Sequence, residues 1–355
     1  MTFTKKIAAV AVMSAVSLPM VSQAGVDLFA VAKMSVDRMS DGANKSTSVN
    51  SNASRFGLKG NQDLANGMKA GFYAEFGFDM SGESSTFGTR NRYVSLGGDY
   101  GTVMVGNYDT FFKQAVTAMD PFADYAGDAR NVLGVNADGA NRMNTRAKNA
   151  VVYVSPKFAD MLQFNALYST AYNAIATSNM DDKNNSLYDL GVTLEKGALA
   201  ARAVFEHQSD SDNKGAVANG GNNGVRISAV YTIDATKLGL IAENLHGGDA
   251  KLNRSAYGVN VVHRFGDTSV KAEVIQVGDV EGISDSGALD YSVGVFQALD
   301  KNLEVYALYN ATNNKSAAKY NAGAPAVRDG NASSFAPASV GADPSDLSVG
   351  VVYKF

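Results

Sequence analysis

The chain has 355 residues, with 31 Lys+Arg against 35 Asp+Glu, 35 Gly, 3 His and neither Cys nor Trp. Disulfide scaffolds, iron–sulfur sites, zinc fingers and cysteine nucleophiles need residues that are absent or nearly so, and a formal charge of −4 with no Lys/Arg block excludes a strongly basic nucleic-acid surface. An apolar fraction of 45% and a mean hydropathy of −0.12 suit a soluble protein, with one exception: membrane-barrel strands alternate lipid-facing and water-facing residues, which cancel in any average.

Residues 1–24 read as a secretory signal. Lys5 and Lys6 precede the apolar run Ile7 to Val16, and Ser22-Gln23-Ala24 puts small residues at −3 and −1 of a cleavage site. The run is far shorter than the roughly 20 residues of a helical span, so cleavage is placed after Ala24. It takes the formal charge from −4 to −6, because two lysines and no acid leave. The exported chain is then periplasmic, secreted, or inserted in an outer membrane, with residues 25–355 as one domain.

Period-2 alternation dominates residues 25–355. In Met68 to Asp79, Met68, Ala70, Phe72, Ala74, Phe76 and Phe78 share one face, and Lys69, Tyr73, Glu75 and Asp79 lie on the other. Strands are expected over Asp27–Met39, Ser54–Asn61, Met68–Asp79, Gly88–Gly97, Thr102–Tyr108, Ala147–Ser155, Met161–Thr170 and Leu187–Lys196. They continue over Leu199–Gln208, Gly224–Ile233, Lys237–His246, Ser255–Phe265, Thr268–Val277, Leu289–Leu299, Leu303–Ala311 and Asp346–Phe355. Sixteen antiparallel strands bring both chain ends to one side, as a closed barrel with periplasmic termini requires. The connections alternate short and long, from the long Ser40–Ala53 and short Asp63–Gly67 through to the long Thr312–Ser345. Short periplasmic turns and long external loops account for that alternation; a sandwich has no reason to obey it. In the last segment Leu347, Val349, Val351, Tyr353 and Phe355 are apolar while Asp346, Ser348 and Lys354 take the other face, and the chain ends on an aromatic at the membrane boundary.

Ser54-Arg-Phe-Gly-Leu-Lys-Gly60, Asp63-Leu-Ala-Asn-Gly-Met-Lys-Ala-Gly-Phe-Tyr-Ala-Glu-Phe76, Arg90-Asn-Arg-Tyr-Val-Ser-Leu-Gly97, Tyr100-Gly-Thr-Val-Met-Val-Gly106, Asn144–Pro156 and the terminal Tyr353-Lys-Phe355 together resemble the general bacterial porins of Gram-negative outer membranes. The resemblance implies a sixteen-stranded all-β transmembrane barrel, a homotrimer in outer-membrane lipid and lipopolysaccharide, and recognition of Phe355 by barrel-assembly machinery. It also implies a water-filled pore for small hydrophilic solutes, narrowed by an inward-folded third loop, residues 109–146, which is the longest connection. Asp120, Asp124 and Asp128 occupy the constriction segment, without the Pro-Glu-Phe-Gly-Gly form of the enterobacterial relatives.

Such a pore needs charged walls and neither catalytic group, cofactor nor metal. Alternation turns Arg55 and Lys59 away from outward Phe56 and Leu58, into the lumen. Arg90 and Arg92 are expected on one face of their strand, and Arg146 and Lys148 on one face of theirs. The resemblance maps Arg55 and Arg90, with Arg146 or Lys148, onto the family's basic cluster; Lys33 is a further candidate. Each could instead be an ordinary lumen or interface charge paired with Glu75 or Asp79.

Three rivals are weighed. A barrel enzyme would need a nucleophile beside His207, His246 or His263, and none of the three sits in such a motif. A sugar-selective pore would need a line of lumen aromatics, for which Tyr73, Tyr125 and Tyr306 are too scattered. A phosphate channel would use the same arginines, and a loop-borne adhesin is the third rival. Asp181, Asp182, Asp210 and Asp212 could hold divalent cations but read more simply as solvated. Ion preference stays open, since the net charge favours cations and the basic cluster anions.

Overall fold

A computed structural model describes residues 25–82, 85–172, 185–209, 221–248, 250–323 and 336–355; the signal segment and Asp181, Asp182, Asp210 and Asp212 lie outside the described residues. The strands are β1 (Gly25–Ser40), β2 (Lys45–Ser51), β3 (Arg55–Asp63), β4 (Lys69–Gly77), β5 (Gly88–Gly98) and β6 (Gly101–Asp109). After the helix α1 (Phe111–Thr117) come β7 (Arg146–Val154), β8 (Leu162–Ser169), β9 (Leu187–Lys196), β10 (Leu199–Gln208) and β11 (Asn222–Ile233). The chain ends with β12 (Thr236–Gly247), β13 (Arg254–Phe265), β14 (Thr268–Val277), β15 (Ala288–Asp300), β16 (Leu303–Asn314) and β17 (Ser345–Lys354).

Every neighbouring pair is antiparallel, and β1 closes the ring by pairing Val31–Ser40 with β17. Its other edge pairs with β3 over Gly25–Val31 and with β2 over Met34–Ser40. β2 and β3 are thus two pieces of one staple, and the barrel has sixteen positions. The segment expected as a loop, Ser40–Ala53, is mostly strand. Asp41 makes the tight turn with Oδ1 accepting from Ala43 N (2.8 Å) and Asn44 N (2.6 Å), while Gly42 takes φ +89°. The first long connection is therefore short. The break at residues 52–54 is tied to β1: Ser54 Oγ accepts from Lys33 N (3.0 Å), and Ala53 has φ +54°.

Outside, Leu347, Val349, Val351 and Tyr353 are exposed, whereas Asp346 and Ser348 are buried inside. A belt of exposed Val, Leu, Phe and Tyr around a polar interior reverses a soluble core, and lipid is the solvent that tolerates it. The buried apolar residues form three clusters, and each includes residues from the segment between β6 and β7. What fills the barrel is this third loop, L3, residues 110–145.

Candidate functional site: the inward-folded loop and its basic wall

Thr110 caps α1 by accepting from Lys113 N (3.2 Å). Asp189 of β9 then accepts from Phe111 N and Phe112 N, drawing the loop into the barrel at its root. On the next strands Arg226, Glu243 and Arg254 form a salt-bridged trio with side chains fully buried. Arg226 donates to Phe112 O and lies 3.8 Å over that ring. Arg254 donates to Val132 O (2.7 Å) and Val135 O (2.8 Å), and Glu243 accepts from Gly134 N (3.0 Å). The trio therefore clamps both the outgoing and the returning limb of L3.

Further on the loop hugs the wall. Asn260 donates to Met119 O (3.2 Å) and Lys271 to Pro121 O (3.1 Å). Phe122 and Tyr125 wedge against Phe296 and Tyr306, with Tyr125 4.9 Å from the Tyr306 ring centre and its hydroxyl donating to Glu304 (2.8 Å). Below the loop, at the short-turn end, a cavity of about 410 Å³ is lined by Asp120, Lys237, Arg264, Lys271 and Glu304 among others.

The three loop acids divide their work. Asp120 accepts from Phe122 N (2.6 Å) and Ala129 N (2.9 Å), and Asp128 from Asp124 N and Arg130 N (both 2.8 Å), so these two hold the hairpin together. Burial, then the charge of Asp128, pushes the Asp120 carboxyl well above its ordinary value. Asp124, at φ +63°, reaches the wall. Its carboxylate lies 3.0 Å from Arg55 Nη1 and 2.9 Å from Arg130 Nη2. Burial alone would raise its pKa; Arg55, Arg130 and Lys33 together overcome that and hold it well below the carboxylate range.

On the wall Glu75 joins Arg55 (3.6 Å) to Arg90 and accepts from the Tyr73 hydroxyl (2.8 Å). A continuous relay thus runs Arg90, Glu75, Arg55, Asp124, Arg130, Asp128, alternating in sign from β5 to the loop. Lys33 adds a second tie, donating to Asp124 O (3.2 Å) with Nζ 3.5 Å from the Tyr125 ring centre.

Arg55, Arg90, Lys33 and Asp124 are brought together; the other basic candidates are not. Arg92 does not share a face with Arg90, because a bulge sets Arg90 and Asn91 jointly against Glu75 and flips the register. Arg92 stands opposite Ala74 and Asn107, on the outward face with Val94, its guanidinium 4.1 Å from the Phe76 ring centre. A second bulge sets Lys148 and Asn149 against Asn107, so alternation does not fix where Lys148 points. Arg146 pairs instead with Asp109 (2.9 Å) and Asn91 (3.1 Å) at the long-loop rim. Lys59 faces inward beside Tyr73 and is exposed, nearer the short-turn end.

Sequence reasoning missed Arg130 and the clamp trio. The only prior signal for Arg130 was its place two residues after Asp128, the spacing of a local side-chain bridge. The aromatics also regroup. Tyr125 and Tyr306 meet behind the loop, while Phe29, Tyr73, Tyr93, Tyr108 and Phe111 form a row at 5.4 to 6.0 Å spacing. Phe29, Tyr73 and Tyr93 stack on one another, so their faces are largely spent within the wall. Among the histidines, His207 stacks on Tyr188 and bonds Asn223 (2.8 Å), and His263 bonds Thr236 (2.8 Å).

Residues 8–317 match the family model described as Gram-negative porin. The chain is 27% identical over 376 residues to outer membrane porin protein 32 of Delftia acidovorans, covering 99% of both chains. Its fold is similar to a structure described as the anion-selective porin from Comamonas acidovorans (TM-score 0.74, 21% identity, 94% and 100% of the two chains). It also matches OmpT of Vibrio cholerae in a trimer form (TM-score 0.70, 17% identity, 94% and 100%).

Proposed function

Since this chain belongs to the Gram-negative porin family and is an outer-membrane channel, we propose that it passes small hydrophilic solutes and ions passively, through a constriction set where Asp124 of L3 meets Arg55 on the wall. The contact at 3.0 Å carries this reading. It places a loop acid against the wall's basic group, with both side chains partly exposed, so a passing ion meets opposed charges at one level. Such a site replaces part of a solute's hydration without binding it tightly. Passive passage requires no reaction at a protein group, and the chain is read as a channel, not an enzyme.

Around the constriction Lys33, Arg55, Arg90 and Arg130 outnumber Glu75, Asp124 and Asp128, which supports a mild preference for anions, in line with the selectivity named for the Comamonas acidovorans protein. The working assembly is read as a homotrimer in outer-membrane lipid and lipopolysaccharide, exported by removal of residues 1–24 and delivered by assembly machinery that reads Phe355. The test is the reversal potential in planar bilayers under a salt gradient. An anion-favouring sign that shifts toward cations in Arg55→Gln supports the reading; a potential unmoved by Arg55→Gln and Asp124→Asn alike overturns it.

A further inference from the structure

We propose that the vestibule beneath L3 holds a subsite for a phosphate monoester of sugar size, its phosphate group seated among Lys237, Arg264 and Lys271 on the inner wall. The inference rests on the reading that anions pass this channel, and it names the class of anion retained on the way. Three adjacent strands build the site. Val262 of β13 has Lys237 of β12 directly opposite it on one side and Lys271 of β14 directly opposite it on the other. Arg264, two residues further along β13, is therefore diagonal to both lysines, and Ser269 stands directly opposite it. All five residues line the cavity of about 410 Å³ under the loop. Diagonal Cα atoms lie about 7–8 Å apart, and the barrel wall is concave toward the lumen, so three long basic side chains can close on one oxyanion.

These cations are available to a solute. Lys237 and Arg264 are exposed, and neither forms an ion pair among the described residues. Lys271 donates to Pro121 O (3.1 Å), and its ammonium has further N–H groups to offer. The acids on the same cavity are engaged elsewhere or stand alone. Asp120 accepts from Phe122 N and Ala129 N within its own hairpin, and Glu304 accepts from the Tyr125 hydroxyl (2.8 Å). Asp234, in the turn before β12, is exposed and pairs with neither Lys237 nor Arg264.

Charge of one sign inside a narrow passage draws and concentrates counter-ions. A phosphate monoester carries about −1.5 to −2 at pH 7, more than a chloride or a single carboxylate. Its oxygens suit the two-pronged guanidinium of Arg264, with the lysines as point charges and the Ser269 hydroxyl as a further donor. The organic part has a place as well. A second cavity of about 430 Å³ shares Lys237 with the first and is lined by Thr193, Ser228 and Thr232 beside Arg202, a set of hydroxyls matched to a hydroxylated solute. None of these residues belongs to the Arg55 and Asp124 relay, so the subsite lies apart from the constriction.

The test is the chloride current of the purified channel in planar bilayers at pH 7, with glucose 6-phosphate added on both sides. Wild type is expected to be blocked at concentrations where glucose and succinate have little effect. The double variant Lys237→Gln with Arg264→Gln changes two exposed side chains and should raise the half-blocking concentration at least about tenfold, since one charge at about 4 Å in water is worth roughly a factor of five. Lys45→Gln, on β2 next to the long-loop rim, should leave it unchanged. Should the double variant fold poorly, Lys237→Gln alone is read the same way. A conducting wild type that glucose 6-phosphate does not block, a block matched by succinate, or a block undiminished in the variant overturns the subsite. None of these results touches the pore reading, whose own failure is a reversal potential unmoved by Arg55→Gln and Asp124→Asn.

Discussion

Asp124 and Arg55 set the charge balance at the narrowest point proposed, and each can be removed without opening a cavity. One unit charge at about 4 Å in water is worth about 1 kcal/mol, so a single neutralisation should change the permeability ratio roughly two- to fivefold. Arg55→Gln should favour cations and Asp124→Asn anions, read as opposite shifts in reversal potential. Glu243 behaves differently because it is sealed from water with Arg226 and Arg254. Glu243→Gln leaves two buried guanidiniums uncompensated and should cost about 3 kcal/mol, within the range for breaking a buried pair, measured as a lower urea midpoint for the detergent-solubilised barrel. These partnerships were only partly legible in the sequence. Alternation turned Arg55 inward, the family resemblance named Arg90, and Asp124 was one of three acids expected in the loop, but the Glu243 trio joins residues whose meeting depends on how L3 turns inside the barrel.

Sixteen of the strands were legible because lipid enforces a repeat of two on a strand with one face turned to it. β2 escaped because it has no greasy face: in Lys45–Ser51 only Val49 is a large apolar residue, and the strand reads as polar linker. Its Asp41-Gly42 turn was the available cue. The two bulges were invisible for another reason, since an extra residue leaves composition unchanged and only inverts which face comes next. Gly106, between them, marks the place. With φ +152°, a Cβ there would meet Arg92 O at 2.1 Å, so Gly106→Val should depress refolding yield while a neighbouring outward change, Val105→Ile, should not. For L3 itself the wedge of Phe122 and Tyr125 decides rigidity. The double variant Phe122→Ala with Tyr125→Ala should leave the barrel folded but loosen the loop tip, giving a noisier and larger single-channel current.

At the scale of the whole molecule, the outward face is not uniformly suited to lipid. Around β3 to β5, Phe56 packs on Phe76, Phe78 and Phe87 at 5.4 to 5.9 Å, and Arg92 lies over Phe76. A guanidinium facing hydrocarbon costs roughly 2–4 kcal/mol at midplane and little near the interfaces. Arg92 offsets part of this by donating to Glu75 O (3.3 Å) and Gly88 O (3.4 Å), and an aromatic patch with a cation over it is better answered by protein than by lipid tails. In the proposed homotrimer this face is the natural place for a neighbouring subunit. Arg92→Glu reverses the charge and sets it against the electron-rich ring of Phe76. The variant should still run as a folded, heat-modifiable barrel, but on unheated gels its oligomer should give way to monomer at a lower temperature than wild type. An unchanged oligomer would mean that lipid, with an anionic headgroup near the guanidinium, covers this face instead.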